Sequence, residues 1–330
     1  MLHPFSQDVL KRAFEYDVVE NDTQQTSLTK KLLLPKIPKI IQVVKGMRNI
    51  FDKMFLAKTK NHQTSSPFGF VSADEYPIGH CGVIRDNLFE ILQKSPLISR
   101  FCKKGVLFKK IYIILDGKYF QHAIQLGNLY LDVANDTVNT KKPKVVCKPL
   151  VKMNYKCFND YDECFDIAEP YLNIKLYPNL IFPLITPIFP VFALSEDGAI
   201  NLFNVHMVIA FKSILQDYQP ITQFLLTSPY MQQRTLPSEY LQLIKERYRQ
   251  NKMSHFCVKF DEKASVDSVV SFIAEQLQKM EGFEKSKADH TLFSIAMQAY
   301  QQFNILRIKQ DEETLKALRQ KGIVPTPMSH

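Results

Sequence analysis

The chain has no Cys-x-x-Cys pair and no His-x-x-x-His pair. Closely spaced thiols and imidazoles are what structural zinc sites use, so their absence argues against a metal centre. There is no P-loop, no dinucleotide fingerprint and no internal repeat, so no phosphate-cradling loop and no cofactor is expected. Tryptophan is missing altogether, for which the sequence offers no reason. Residues 1–20 mix charged and apolar side chains and hold no uninterrupted apolar core of the kind a secretory signal needs. The best candidate for a membrane span, Leu176–Ser195, carries no charge but is broken by Pro178, Pro183, Pro187 and Pro190. It reads as buried extended segments instead of a spanning helix. The six cysteines, at 81, 102, 147, 157, 164 and 257, suit a reducing compartment better than a disulfide framework. Cys157 and Cys164 have aspartates nearby, but as isolated thiols they read as buried or free. A cytoplasmic location is the expectation.

What is present is the composition of a folded domain, 45% hydrophobic and 23% charged, long enough for one large core or two smaller ones. The net charge of +9 is concentrated. Residues 29–60 hold nine basic side chains against Asp52 alone, and the remainder is nearly neutral. A nucleic-acid-binding surface spreads its basic residues over several elements, so nucleic acid is not the expected partner. Within that stretch Ile37, Ile40, Ile41, Val44, Met47, Phe51, Met54 and Phe55 recur at helical spacing. Lys39, Lys45, Arg48 and Lys53 lie largely elsewhere on the same helix. A basic amphipathic helix over 36–58 can meet an acidic partner or an anionic membrane surface, or pack on the domain with a solvated lysine face.

Helical spacing also marks Ser6 to about Tyr16, and residues 20–27 read as a polar loop. Pro67–Ser72 reads as short and extended. Pro77 and Gly79 punctuate the chain before Cys81, and Ile84, Leu88, Ile91 and Leu92 then recur at helical spacing up to Ser95-Pro96. Cys81 is therefore placed at a helix start, where unpaired amides and the dipole favour thiolate over thiol. From Gly105 the period changes to that of strands: Phe108–Leu115, Tyr119–Leu126 and Leu129–Ala134, joined by turns at Asp116-Gly117 and Gly127-Asn128. A short helix from Asp160 to Ala168 is expected to stop at Pro170, and a hairpin is expected around Glu196-Asp-Gly198. Beyond 205 the pattern is helical, with a lone strand at His255–Phe260.

The middle strand carries His122 and the next carries Asp132. Cys, His and Asp on a helix start and two neighbouring strands can form a nucleophile, its base and the group that orients the base. Register decides whether they meet. A two-residue loop pairs Leu126 with Leu129 and puts His122 and Asp132 on opposite faces. A three-residue loop or a bulge at Gly127 pairs His122 with Asp132 directly. The apolar alternation does not choose, and the catalytic reading requires the second. Asp136 has the parity of Asp132 and is its reserve.

Gly79-His80-Cys81-Gly82, the following amphipathic helix, and His122-Ala123 leading to Leu131-Asp132-Val133 are similar to the transglutaminase-like group of papain-fold cysteine enzymes. The resemblance covers about residues 76–136. It implies an α+β fold with a papain-like antiparallel core. It also implies Cys81 as nucleophile, His122 as base and Asp132 as orienting acid, acting on a protein or peptide substrate. Many papain relatives place a glutamine six residues before the cysteine; Glu75 stands there, which leaves Tyr76 as a substitute oxyanion donor. His80 adjoins the nucleophile, where it can tune it or contact substrate. The expected organisation is an N-terminal helical segment over 1–64, a catalytic core over 65–205 and a mainly helical lobe over 206–330. The expected activity is protease, deamidase or transamidase. The alternatives are a catalytically inactive module that binds a peptide in the same cleft, or a surface-binding protein acting through 36–58.

Overall fold

The two hairpin signals build an antiparallel sheet. Strands β1 (Phe108–Leu115) and β2 (Tyr119–Leu126) pair from Phe108↔Leu126 to Leu115↔Tyr119. Asp116 and Gly117 turn between them at φ of 55° and 65°. β3 (Leu129–Asp132) follows β2, β4 (Val146–Pro149) pairs with β3, and β5 (Tyr155–Lys156) pairs with the far edge of β1. The sheet order is β4-β3-β2-β1-β5. Both limits of β1 and β2 are those read from the alternation; β3 stops at Asp132, before Ala134. The computed structural model describes residues 4–59, 76–250, 259–278, 282–305 and 312–327. The extended segment expected at 67–72 and most of the strand expected at 255–260 lie outside them.

The chain divides into two compact units, residues 15–157 and residues 1–14 with 158–330. These limits differ from those expected at 64 and 205. The basic helix belongs with the sheet, and residues 158–205 belong with the C-terminal helices. The reason is contact: the apolar stripe of the basic helix is part of the core under β3 and β4, so no boundary can fall between them.

In the sheet unit, α1 (Pro4–Phe14) is excluded and the first helix is α2 (Thr23–Leu28), where the polar composition predicted a loop. Asp22 caps it by accepting from the Gln25 N–H at 2.9 Å. The Gln25 side chain is buried and ties the helix to Gly105 O and Leu107 N, so a tertiary bond holds a segment whose sequence has no apolar period. Then come α3 (Ile37–Thr59), α4 (Cys81–Gln93) and α5 (Pro96–Cys102), the last capped by Ser95. Ile40, Val44 and Phe51 of α3 and Ile84, Leu88 and Leu92 of α4 share one core with Ile124, Leu126, Leu129, Leu131 and Val133. The opposite sheet face buries Ile111, Ile113, Ala123, Tyr130 and Leu150.

The β2–β3 turn is a two-residue loop: Leu126 pairs with Leu129 and Ile124 with Leu131. Gly127 takes φ +56°, as the first central position of a tight primed turn requires. Thr29 Oγ1 accepts from Asn128 N at 2.8 Å, and Thr26 Oγ1 accepts from Asn128 Nδ2 at 2.8 Å. A Cβ on Gly127 would collide with Thr29 Oγ1 and would lie 2.9 Å from Leu33 Cδ1. Gly127→Ala is therefore expected to cost about 2–4 kcal/mol from backbone strain and overpacking together. Gly117→Ala, at a similar φ but with open space around it, should cost only about 1 kcal/mol. Urea denaturation of the two variants checks the difference.

The other unit contains α1, α6 (Tyr161–Leu172), a three-stranded sheet of β6 (Ile174–Pro178), β7 (Val191–Ser195) and β8 (Ile200–Phe203), and helices beyond Met207. Helix α6 runs through Pro170 and ends at Asn173 in the left-handed region, two residues past the expected stop. The Pro-rich stretch supplies β6, turns and β7, as buried extended segments. Among the described residues no helix is long and apolar enough to cross a membrane.

Candidate functional site

Helix α4 begins where the β2–β3 ladder ends. Gly79, at φ +72°, turns the chain, and its N–H donates to Thr137 O at 3.1 Å. That bond ties the start of α4 to the segment that follows β3. Ile84 N–H then donates to His80 O at 2.9 Å, the first helical bond, and Cys81 is the first helical residue, partly buried. The expectation of a cysteine at a helix start is met.

Five influences act on the thiol. Burial pushes its pKa up, and the Asp132 carboxylate adds to this; together they raise it to about 11. The N–H of Gly82, the guanidinium of Arg85 and the N–H of His122 oppose the shift. Main-chain N–H groups of the helix start and of β2 thus both favour the thiolate. Arg85, one turn along α4, is itself buried and donates to Ile111 O at 3.1 Å, with Tyr16 5.2 Å from its guanidinium. It was not singled out from the sequence, although its spacing of four from Cys81 on a helix puts it on the same face.

The His122 ring lies over Gly82: a Cβ built there would be 3.5 Å from its Nε2. Its other face stacks on Tyr112, its cross-strand neighbour, at 4.1 Å between centroids and 26° between planes. So the imidazole is sandwiched between the first turn of α4 and a tyrosine, and its plane is set by packing. Gly82 is part of the quoted motif, and Tyr112 becomes visible only once the β1–β2 register is known.

Asp132 is not placed as the triad requires. The two-residue turn gives it the parity of Ala123, so it projects on the sheet face opposite His122. Its carboxylate accepts from Tyr130 Oη at 3.0 Å and from Ala134 N at 2.8 Å. The cause of the register is burial. The two-residue pairing lines Leu129, Leu131 and Val133 up with Ile124 and Leu126 in the core beneath α3 and α4. Slipping by one would move these three aliphatic side chains to the opposite face, already filled by Ile111, Ile113, Ala123, Tyr130 and Leu150, and would put Tyr130 and Asp132 into the core beneath α3 and α4. Burial raises the Asp132 carboxyl to about 7, against the hydrogen bonds from Ala134 and Tyr130 that favour its charged form.

Asp136, the reserve, belongs to a different cluster. Arg48 is fully buried and donates to Asp136 through Nη1 at 2.9 Å and Nη2 at 3.3 Å, to Asp52 through Nε at 2.6 Å, and to Val133 O at 2.8 Å. The expected surface role of Arg48 is thereby corrected: the core face of α3 takes it in because two carboxylates and a carbonyl satisfy it there. Lys39, Lys45 and Lys53 are exposed. Tyr76 donates its hydroxyl to Asp52 and stacks on Phe55 at 4.8 Å, so the proton it would offer an oxyanion is already engaged. His80 is buried, with Nδ1 2.8 Å from Ile78 O and its ring against Phe55 and Tyr76. It packs the turn before Cys81.

Among the described residues no group of three or more His, Cys, Asp or Glu side chains is arranged to hold a metal ion. No protein-family model, no curated protein and no solved structure matches the chain.

Proposed function

We propose that the chain is a cysteine enzyme of papain-like, transglutaminase-like architecture that carries out thiol-dependent acyl transfer on a peptide or amide carbonyl. Cys81 and His122 act as a dyad. The observation that carries the reading is the placement of Cys81 at the first turn of α4, with the His122 ring lying over the adjoining Gly82.

In the forward step the Cys81 proton passes to His122, and the thiolate adds to the substrate carbonyl carbon. The negative charge moves to the carbonyl oxygen, where main-chain N–H groups at the helix start can stabilise it. Collapse breaks the C–N bond, and the leaving amine takes the proton from the imidazolium. Water or a second amine then attacks the thioester, which gives hydrolysis, deamidation or transamidation. Tyr112 takes over the holding of the ring plane that the triad reading gave to Asp132.

A second reading has its own observation. A thiol held at about 11 is ionised to only about one part in ten thousand at pH 7. That favours a peptide-binding module of the same fold without catalysis. The two separate on the pH dependence of Cys81 alkylation by iodoacetamide, followed by peptide mass spectrometry with Cys102 as internal standard. The dyad predicts a reactive limb well below pH 9 that is lost in His122→Asn. If Cys81 reacts no faster than Cys102 at pH 6, the nucleophile is wrong and the binding module stands.

A further inference from the structure

We propose that the exposed face of α3, with the adjoining 139–142 segment, docks the protein on an anionic lipid surface. The inference is independent of the catalytic reading. Helix α3 has two stripes. One packs on the sheet and contains Ile40, Val44, Arg48 and Phe51. The other is Lys39, Val43, Gly46, Ile50 and Met54, again at three- and four-residue spacing. Ile50 is 61% exposed and Met54 56% exposed. Nothing lies within 4 Å of where a Gly46 Cβ would sit. Periodicity alone assigned Met54 to the core face, and the structure turns it outward.

Charge identifies the occupant. The only acid in Ile37–Thr59 is Asp52, and it is turned inward against Arg48, Tyr76 and Lys144. The lysines at 39, 45 and 53 therefore face solvent with no carboxylate of their own helix beside them. Lys144 also reaches Asn49 Oδ1, at 3.4 Å, which brings the segment before β4 against α3. That segment adds exposed Lys141 and Lys142, and no acid occurs anywhere in residues 137–159. The result is an exposed side of α3 that carries Ile50 and Met54 next to Lys39 and Lys53, with Lys45, Lys141 and Lys142 on its flank towards Asn49. An interfacial helix needs this combination: cations for the headgroups and apolar side chains to enter the acyl boundary. A nucleic acid or an acidic polypeptide would use the lysines but would gain nothing from Ile50 and Met54. The one arginine of α3, the side chain suited to gripping phosphate, is buried.

The test is co-sedimentation of the full chain with vesicles of phosphatidylcholine alone and of phosphatidylcholine with phosphatidylserine. Binding is expected only to the second and is expected to weaken with salt. Each lysine at an anionic surface is worth about fivefold in affinity, so Lys39→Gln/Lys45→Gln/Lys53→Gln should lose about a hundredfold. Ile50→Ser/Met54→Ser should lose roughly tenfold while keeping the salt dependence. Both variants change exposed positions, and unchanged circular dichroism and melting temperature confirm their folding. Equal binding to both vesicles, no loss in the lysine variant, or a wild type that ignores vesicles but is retained by duplex DNA or polyglutamate would each overturn the proposal.

Discussion

Arg48→Ala will lower the unfolding free energy by about 3–5 kcal/mol, the range for removing one partner from a buried ion cluster. Arg48 is 0% exposed, and its guanidinium engages two carboxylates and the Val133 carbonyl. Burial works against its charge, but the hydrogen bonds to Asp136 and Asp52 outweigh burial and raise its pKa. Asp52 mirrors this: burial pushes its carboxyl up, while hydrogen bonds from Lys144, Tyr76 and Arg48 bring it below its ordinary value. Without Arg48, two carboxylates stay in the core with Lys144 as the remaining cation. The linked loss extends to the site, since the cluster joins α3 to Tyr76 and to the segment that begins at Val133. A carboxyl with a lowered folded pKa contributes stability above its unfolded value, about 3.9, and loses it as pH falls. The gap between wild type and Arg48→Ala should therefore be largest near pH 7 and shrink below about pH 4. Arg48→Lys should recover only part, because an ammonium cannot reproduce the fork. Urea denaturation at several pH values measures all of this; a loss under about 1 kcal/mol at pH 7 would show that the cluster is dispensable.

Asp132→Asn will make Cys81 more reactive at pH 8, the reverse of what a triad acid would do. The Asp132 carboxyl is raised to about 7 by burial and contributes to raising the Cys81 thiol to about 11. Asparagine keeps the geometry: its oxygen can accept from Ala134 N, and its amide can donate to the Tyr130 hydroxyl. What it removes is the anion. Iodoacetamide should label Cys81 faster in this variant than in wild type at pH 8, with the difference fading towards pH 5, where Asp132 is protonated anyway. Stability should follow the same sign. Between about 3.9 and the folded value the native state holds a proton that the unfolded chain has released, so native stability falls as pH rises through that window. The penalty, complete above about pH 7, is on the order of 4 kcal/mol at most. Asparagine has none of it, so the variant should gain on wild type from pH 5 to pH 8. A variant that slows Cys81 at every pH, as His122→Asn should, would return Asp132 to the role of orienting the ring.

These two residues mark the division between local and tertiary information. The start of α4 at Cys81 and the limits of β1 and β2 were legible in the sequence because their causes are local. Pro77 and Gly79 set the turn, the apolar period changes from helical to alternating, and Asp116-Gly117 and Gly127-Asn128 close the hairpins. The proximity of His122 to α4 followed from those elements being neighbours. The face of Asp132 did not follow, because one residue of register at Gly127-Asn128 reverses it, and both registers keep an apolar alternation. Thr26, Thr29 and Leu33, about a hundred residues away in the chain, close on that turn and select the two-residue form.

The chain alone determined that a cysteine would open a helix beside a histidine-bearing meander, and that positive charge would gather on the helix at 37–59. Only the tertiary structure decided the rest: that Asp132 turns from His122, that Tyr112 and Gly82 hold the imidazole, and that Arg48 goes inside while Ile50 and Met54 stay out. The physical reason is the same in each case. Periodicity says which side chains share a face, whereas the choice of which face is buried depends on partners far away in the chain. Here those partners are the aliphatic core under α3 and α4, and the carboxylates of Asp52 and Asp136 that make a buried arginine tolerable.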